Sequence, residues 1–172
     1  DQIKDLEKKI ALKDADLREA LFDLDEIKGT PIEYFMLYRK ATLARFEMIE
    51  PRWDRIMEAS WRAAKKNGVA PDVFIGVVEH ESFFNPDAIG TRGEQGLAQI
   101  YAPAWPQFDT NRGFEIEYNL EFGTMIFASC MKQAKGNIRE ALRLYNGRGE
   151  LPEGMIPYPD RVLNGRTMKR AK

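Results

Sequence analysis

The stretch from residue 71 to residue 100 constrains the fold most, because a short apolar helical pattern runs directly into a loop punctuated by glycines. At 3.6 residues per turn, one sector of this helix contains three apolar side chains, Phe74, Val77 and Val78. Glu81 lies in the same sector and Glu79 does not, so we expect only Glu81 to be drawn towards the core. Burial disfavours the charged form of a carboxyl group, so its pKa should rise, which makes Glu81 a candidate general acid. The same pattern also fits a structural glutamate paired with a buried donor.

Helical patterns with recognisable ends account for most of the chain after Pro51, and strand signals are weak throughout. Besides the helix that Pro71 opens, the patterns predict helices over 53–66, 119–134 and 138–145. On the last of these, four side chains share a face, Ile138, Ala141, Leu142 and Tyr145, so the Tyr145 ring is expected to point inwards. Residues 85–112 are predicted to be loop-rich and hairpin-like. The predicted fold is therefore mostly α.

Residues 1–50 differ from the rest in pattern and charge, and they predict an N-terminal helical extension. Over residues 1–28, two heptad seams carry Ile3, Ile10, Leu17 and Leu24, and Leu6, Lys13, Ala20 and Ile27. These heptads indicate either a coiled coil about 40 Å long or an amphipathic helix packed on its own chain. A capping box at Thr30–Glu33 opens a second predicted helix over 31–50.

The charge balance changes at Pro51, which marks the predicted domain boundary. Residues 1–50 carry nine basic and twelve acidic residues, whereas residues 51–172 carry seventeen and fifteen. We therefore predict an N-terminal extension over 1–50 and a separate domain over 51–172, which contains the candidate general acid Glu81.

Composition argues against several classes of protein. A net charge of −1, with no basic run interleaved with aromatics, argues against nucleic-acid binding. One cysteine, Cys130, and one histidine, His80, exclude an intrachain disulfide and the usual zinc motifs, and Cys130 is expected to pack in the core. No transmembrane run and no signal peptide are visible. Because the chain begins at Asp1, we expect upstream sequence, such as a signal or an anchor, to have been removed or left out.

Three motifs, Glu81-Ser82, Gly96-Leu97-Ala98-Gln99 and Tyr145-Asn146, occur in the order and rough spacing typical of the soluble lytic transglycosylases. Over about residues 51–165 the chain resembles this family, whose fold is similar to that of goose-type lysozyme. The similarity extends to AAKKNGVAPDVFIGVVEHES, YNLEFGTMIFA and YPDRVLNG. Ala98 departs from the pattern, because the family usually has methionine there. Gly90 departs as well, since a substrate-contacting serine is common there, and Thr91 is a candidate to take over that contact.

The resemblance implies a lysozyme-like helical domain that cleaves the β-1,4 bond between N-acetylmuramic acid and N-acetylglucosamine in peptidoglycan. Glu81 would act alone as general acid and base, and the C6 hydroxyl of muramic acid would displace the leaving sugar to give a 1,6-anhydro end. No metal and no organic cofactor are implied.

The same resemblance assigns substrate-binding roles to six further residues, Ser82, Gly96, Leu97, Gln99, Tyr145 and Asn146. Ser82 would orient Glu81 or a sugar, Gln99 would hydrogen-bond to substrate, and the Tyr145 hydroxyl would reach the Glu81 carboxyl or the acetamido group. Simpler alternatives are that Ser82 and Asn146 act as helix caps and that Gly96 only permits a turn.

Two other functions fit the same residues. One is a hydrolytic muramidase in which a second acid such as Glu94 positions water. The other is a non-catalytic coiled-coil assembly module with a glycan-binding groove, in which residues 1–28 provide self-association or bind an envelope or phage partner. Peptidoglycan as substrate implies a location in the periplasm or cell envelope, for a bacterial or a phage-encoded protein.

Overall fold

The computed structural model describes residues 50–147 and 155–164. The chain divides into two units, Asp1–Pro51 and Arg52–Lys172, and the described residues lie almost wholly in the second. Within these residues the structure has five α-helices and no β-strand: α1 Trp53–Lys66, α2 Pro71–Ser82, α3 Ile116–Gln133, α4 Ile138–Asn146 and α5 Tyr158–Asn164. The prediction of a mostly α fold is confirmed. The predicted helices over 1–28 and 31–50 fall almost wholly on residues outside the described part. Those helices and the predicted domain boundaries stay predictions.

Helix α2 packs against α1 and α5. All of its residues from 73 to 79 are buried, including Glu79, which is 1% exposed. The expectation that Glu79 lies outside the core was therefore wrong, and Glu81 is the more accessible of the two acids, at the half-buried end of the helix. Six consecutive apolar or small residues, 73–78, cover every side of the helix, so a single buried sector does not exist there.

Helices α3 and α4 follow the predicted patterns with changes at their ends. Helix α3 begins three residues before the predicted start and packs against α1 and α4. The side chain of Asn137 caps α4 by accepting a hydrogen bond from the backbone N–H of Glu140 at 3.1 Å, as its pattern predicts. Ile138 was expected to face inwards but is 36% exposed, because this first residue of α4 follows an exposed turn.

Helix α5 was not predicted, although its sequence belongs to the segment YPDRVLNG. It packs against both α2 and α4. An ion pair between Arg139 of α4 and Asp160 of α5, 2.7 Å long, links the two helices at the surface. This position brings the first residue of α5, Tyr158, to the end of α2. None of the described helices combines the length and the apolar character needed to cross a membrane.

The segment between α2 and the short 3₁₀ helix Ala102–Ala104 forms a compact, hairpin-like loop, as predicted. Two isolated antiparallel bridges join Gln95 to Ile89 and to Ile100. Leu97 and Ile100 bury their side chains beneath the loop, at 0% and 2% exposure. The loop is therefore anchored to the core by its own apolar residues.

The side chain of Asn119 fixes this loop to α3. Its Oδ1 accepts a hydrogen bond from the backbone N–H of Ala98, and its Nδ2 donates to the carbonyl oxygens of Gln95 and Gly113, all at 2.8 Å. Asn119 is 1% exposed, so these bonds form away from water. Gly96 lies against the same amide with φ +72°, and a Cβ there would lie 2.5 Å from Asn119 Nδ2. Only glycine suits this position.

Candidate active site

A cleft of about 670 Å³ opens at the end of α2. Two groups of residues line it, and we name them by their elements. The helix wall consists of the lining residues of α2, α3 and α4 together with Gly147; the loop wall consists of those between 90 and 105. Glu81 belongs to the helix wall and Glu94 to the loop wall. The cleft thus contains two carboxyl groups in different surroundings.

Glu81 is held by a phenol. The hydroxyl of Tyr158 donates a hydrogen bond to Glu81 Oε1 at 2.5 Å, and the Tyr158 side chain is only 2% exposed. Burial raises the pKa of Tyr158 well above its usual value, and the negative charge of Glu81 adds to the effect. Tyr158 therefore stays protonated at neutral pH and remains a donor to the carboxyl group.

The second phenol near Glu81 is Tyr145 of α4. Burial raises its pKa well above the usual value, with further contributions from the charge of Glu81 and from Cys130. Its hydroxyl donates to the carbonyl oxygen of Ala98 at 2.9 Å, which joins the helix wall to the loop. We expected this hydroxyl to reach Glu81 or a substrate acetamido group; its described bond is to the loop backbone instead.

A sharp turn after α2 places Glu81 at the cleft. Phe83 and Phe84 both have left-handed backbone conformations, with φ of 55° and 60°, and each non-glycine residue in this region costs about 1–3 kcal/mol. Phe84 offsets that cost by burial, since it is 1% exposed and lies edge-on to Trp53 at 4.6 Å. The chain therefore leaves the helix at Phe83, two residues after Glu81.

Ser82 does not line the cleft. It is 8% exposed, and its hydroxyl donates to the carbonyl oxygen of Val78, one turn back in α2, at 3.1 Å. Phe83, and not Ser82, is the C-cap of the helix. The described bond of Ser82 therefore satisfies the end of α2.

Gln99 lines the loop wall with a fixed amide. Its Nε2 donates to the carbonyl oxygens of Gly96 at 2.8 Å and Ala88 at 3.2 Å, and its backbone is left-handed, with φ 49°. Because the amide nitrogen is engaged inside the loop, the amide oxygen is presented to the surroundings of Gly90. This geometry suits an acceptor that meets a donor on a substrate.

Glu94 is held by charge and by backbone donors. Its carboxylate accepts hydrogen bonds from the Arg92 Nε at 2.8 Å and from the Arg92 backbone N–H at 2.9 Å. Burial acts to raise the pKa of Glu94, but the hydrogen bonds from the backbone and from Arg92 outweigh it and lower the pKa overall. Glu94 therefore stays ionised at neutral pH.

Aromatic and aliphatic side chains complete the cleft. Tyr101 and Trp105 line the loop wall, and the guanidinium of Arg92 lies 4.6 Å from the centre of the Tyr101 ring. Ile126 and Cys130 of α3 line the helix wall, and both are largely buried. Ring faces beside hydrogen-bonding groups suit a sugar ring, which has apolar faces and a polar edge.

The structure brings four of the seven predicted site residues together. Lining the cleft are Glu81, Gln99, Tyr145 and Asn146, whereas Ser82, Gly96 and Leu97 support it from behind. Asn146 is the last residue of α4, and Gly147 is its C-cap.

The two departures from the family pattern lie in different environments. Ala98 is 1% exposed, lies against Gly123 of α3 and is not among the residues that line the cleft. Gly90 and Thr91 both line the cleft.

Sequence reasoning missed the role of Tyr158, which gives Glu81 its described hydrogen bond. The signal was present in the segment YPDRVLNG, but no spacing rule connects residue 158 to residue 81. Among the described residues, no group of three or more His, Cys, Asp or Glu side chains is arranged to hold a metal ion.

Comparison with known proteins gives the family. A search of solved structures found no match. The family model described as "Transglycosylase SLT domain" matches residues 58–152, which is more than half of the 172 residues. This match and the helical structure confirm the lysozyme-like fold. With Glu81, Gln99 and Tyr145 gathered at one cleft inside the matched range, the chain belongs to the transglycosylase SLT-domain family, and at family level it is a peptidoglycan-cleaving enzyme.

Proposed function

We propose that the protein is a lytic transglycosylase that cleaves the β-1,4 bond between N-acetylmuramic acid and N-acetylglucosamine. Protonated Glu81 donates its proton to the glycosidic oxygen as the bond to the anomeric carbon breaks. The acetamido group of the substrate supports the positive charge on that carbon. The C6 hydroxyl then attacks it and gives its proton to the Glu81 carboxylate. The product carries a 1,6-anhydro end, no water is consumed, and Glu81 returns to its starting state.

The observation that carries the proposal is the setting of Glu81. It is half-buried at the cleft, bonded to a neutral phenol, and flanked by a second neutral phenol, Tyr145. Neither phenol carries a positive charge that would fix the carboxyl group in its ionised form. The rise in the pKa of Glu81 that the sequence led us to expect stays a prediction.

A second candidate function is a hydrolytic muramidase, and the presence of Glu94 in the same cleft favours it. In that reaction Glu94 positions or activates a water molecule. The pairing with Arg92 weighs against this role, because a carboxylate with a lowered pKa is a poorer base. We therefore place the transglycosylase first.

The nature of the products separates the two functions. Purified sacculi digested with the protein and analysed by mass spectrometry are expected to give terminal muramic acids that are one water lighter than reducing ends. Reducing ends alone would overturn the transglycosylase and support the muramidase. If intact protein releases no fragments from clean sacculi, a non-catalytic glycan-binding module is favoured instead.

The proposed substrate also leads to a proposal about cellular location. Peptidoglycan lies outside the cytoplasmic membrane, so we place the protein in the cell envelope, as a bacterial enzyme or a phage factor that acts there. Fractionation of cells or virions that carry the tagged full-length protein tests this location. Recovery from the cytosol alone would contradict it.

A further inference from the structure

Two acceptor oxygens converge over Gly90 on the loop wall. A Cβ placed on Gly90 would lie 2.6 Å from Gln99 Oε1 and closer still to Glu94 Oε2. Real Cβ atoms do not approach oxygen atoms this closely, so only glycine at position 90 lets both oxygens come so near to the backbone. All three residues line the cleft, and by the hollow we mean the part of the cleft in front of these two oxygens.

The hydrogen bonds around the hollow fix which atoms face it. Gln99 Nε2 is engaged by two loop carbonyl groups, which turns Oε1 towards Gly90. Glu94 Oε1 accepts from the Arg92 side chain and Oε2 accepts from the Arg92 backbone N–H. A carboxylate has about four acceptor sites in all, so Oε2 keeps capacity for a further donor.

The Glu94 carboxylate is also rigid. Its side chain is 14% exposed, whereas that of Arg92 is 64% exposed, so the acid is the anchored member of the ion pair. Acceptors that are already oriented bind a donor without a further ordering cost. The hollow is therefore built to receive hydrogen-bond donors, and it offers no donor of its own from Glu94 or Gln99.

We propose that Glu94 and Gln99 together bind a hydrogen-bond donor of the glycan, a sugar hydroxyl or an acetamido N–H, in the hollow above Gly90. Glu94 is then a substrate-binding residue and not a second acid catalyst. This inference rests on the proposed function, because it takes the glycan as the ligand. It also explains Gly90: a side chain at position 90 would collide with the Glu94 carboxylate, so residues 90 and 94 are coupled.

Binding can be measured apart from cleavage in the Glu81→Gln background. Calorimetric titration with a β-1,4-linked N-acetylglucosamine pentamer should show that Glu94→Ala weakens affinity about tenfold, as expected for loss of a hydrogen bond to a charged group. An unchanged affinity, or a Glu81→Gln parent that does not bind the pentamer, overturns the inference.

Titration with a second ligand identifies which group of the glycan is the donor. If the Glu94→Ala loss is equal for a glucose oligomer of the same length, the donor is a hydroxyl. If the loss occurs only with the N-acetylated oligomer, the donor is the acetamido N–H. The absence of any loss with either ligand contradicts both forms of the proposal.

Two control variants separate binding from support of the loop. Arg92→Ala removes the ion pair and keeps the carboxylate, so it should cost clearly less affinity than Glu94→Ala. Asp87 lies elsewhere in the same loop and forms an exposed 2.8 Å ion pair with Arg52, which precedes α1. Asp87→Ala breaks this pair and should leave the affinity for the pentamer unchanged. Equal losses in Arg92→Ala and Glu94→Ala, with matching falls in the unfolding temperature, would show that Glu94 only supports the loop.

The coupling of residues 90 and 94 has its own test. Gly90→Ser should weaken affinity at least as much as Glu94→Ala, because the new side chain collides with both oxygens. In a Glu94→Ala background the same serine should cost less affinity than in the wild type, since only Gln99 Oε1 still obstructs it. A serine that is equally harmful in both backgrounds overturns the coupling.

Failure of this inference differs from failure of the proposed function. Wild-type protein that releases anhydro ends while Glu94→Ala keeps the kcat and KM of the wild type on soluble peptidoglycan strands contradicts only the role of Glu94. Wild-type protein that releases no anhydro ends contradicts the proposed function itself.

Discussion

The helix wall and the loop wall each place one glutamate in the same cleft, but they hold it by different means. Glu81 is bonded to a buried neutral phenol, whereas Glu94 is bonded to an arginine and a backbone N–H. A positive partner holds a carboxyl group in its charged form far more strongly than a neutral donor does. Under the proposed function, this difference in partners assigns proton transfer to Glu81 and binding to Glu94.

The strongest way to break this comparison is to neutralise each acid in turn. We expect Glu81→Gln to lower kcat about 10³-fold, because general acid–base catalysis contributes on that scale and one group does both steps. Glu94→Gln should lower kcat by less than about tenfold, since the amide keeps the shape and part of the acceptor capacity. Release of anhydro fragments from sacculi measures both. Equal effects of the two substitutions would refute the division of roles.

The loop wall depends on the Asn119 amide, and its removal is expected to have the next largest effect. Asn119→Ala leaves three backbone groups at the loop without their partner, at a cost of about 2–4 kcal/mol in the free energy of unfolding. Urea denaturation measures this loss. As a control, Asn111→Ala, at an exposed site, should change stability by less than about 0.5 kcal/mol. A loss below about 1 kcal/mol for Asn119→Ala would mean that other contacts hold the loop.

On the helix wall, we expect the hydroxyl of Tyr158 to matter more for the activity of Glu81 than for stability. Tyr158→Phe keeps the ring and removes the donor to Glu81, so we expect kcat to fall about tenfold with little change in KM. Tyr118→Phe is the matched control, because its hydroxyl accepts a hydrogen bond from the Asp109 N–H and lies outside the cleft-lining set. Equal activity of Tyr158→Phe and wild type would remove the phenol from the mechanism.

The smallest expected effect is on the pH dependence of the free energy of unfolding. Tyr158 should affect it at alkaline pH and Glu94 at acid pH. The pKa of Tyr158 is raised by folding, so its contribution is present below about pH 10 and is lost as the pH rises further. The pKa of Glu94 is lowered by folding, so its contribution is present above about pH 4.3 and is lost as the pH falls.

Urea unfolding across pH 3 to 11 tests this opposition. Tyr158→Phe should flatten only the alkaline limb of the stability curve, and Glu94→Gln only the acid limb. A substitution that flattens the other limb, or neither, would show that the two walls do not differ in this way.

The sequence predicted the beginnings of α2 and α4 well, because interactions between neighbouring residues decide where a helix begins and ends. Pro71 as the first residue of α2 and the Asn137 cap of α4 both follow from backbone hydrogen bonding at helix ends, which a few neighbouring residues control. The burial of Glu79 did not follow, because it depends on tertiary packing of α2 against other parts of the domain, which include α1 and α5. The helical period of apolar residues can identify a buried face only in a helix whose other face is exposed to solvent.

The candidate site was predictable through its motifs and less so through its contacts. Glu81, Gln99 and Tyr145 do meet at one cleft, but the bond from Tyr158 to Glu81 joins residues 77 positions apart. The pairing of Glu94 with Arg92 is local in sequence, yet its importance depends on the absent side chain of Gly90. The contact of Tyr158 with Glu81, and the approach of Gln99 to Gly90 and Glu94, arise from tertiary packing, which spacing does not encode.

Gly123, in the middle of α3, limits what evolution or engineering can place behind the active site. A Cβ on Gly123 would lie 2.5 Å from the Cβ of Ala98 and 3.4 Å from the Tyr145 hydroxyl. The backbone of α3 thus lies very close to the loop at Ala98, with almost no side chain between them. A larger side chain at position 98 or 123 would therefore need a compensating change at the other position. Placing a methionine at position 98 would push α3 away from the loop and disturb the nearby hydrogen bond from Tyr145 to the Ala98 carbonyl oxygen.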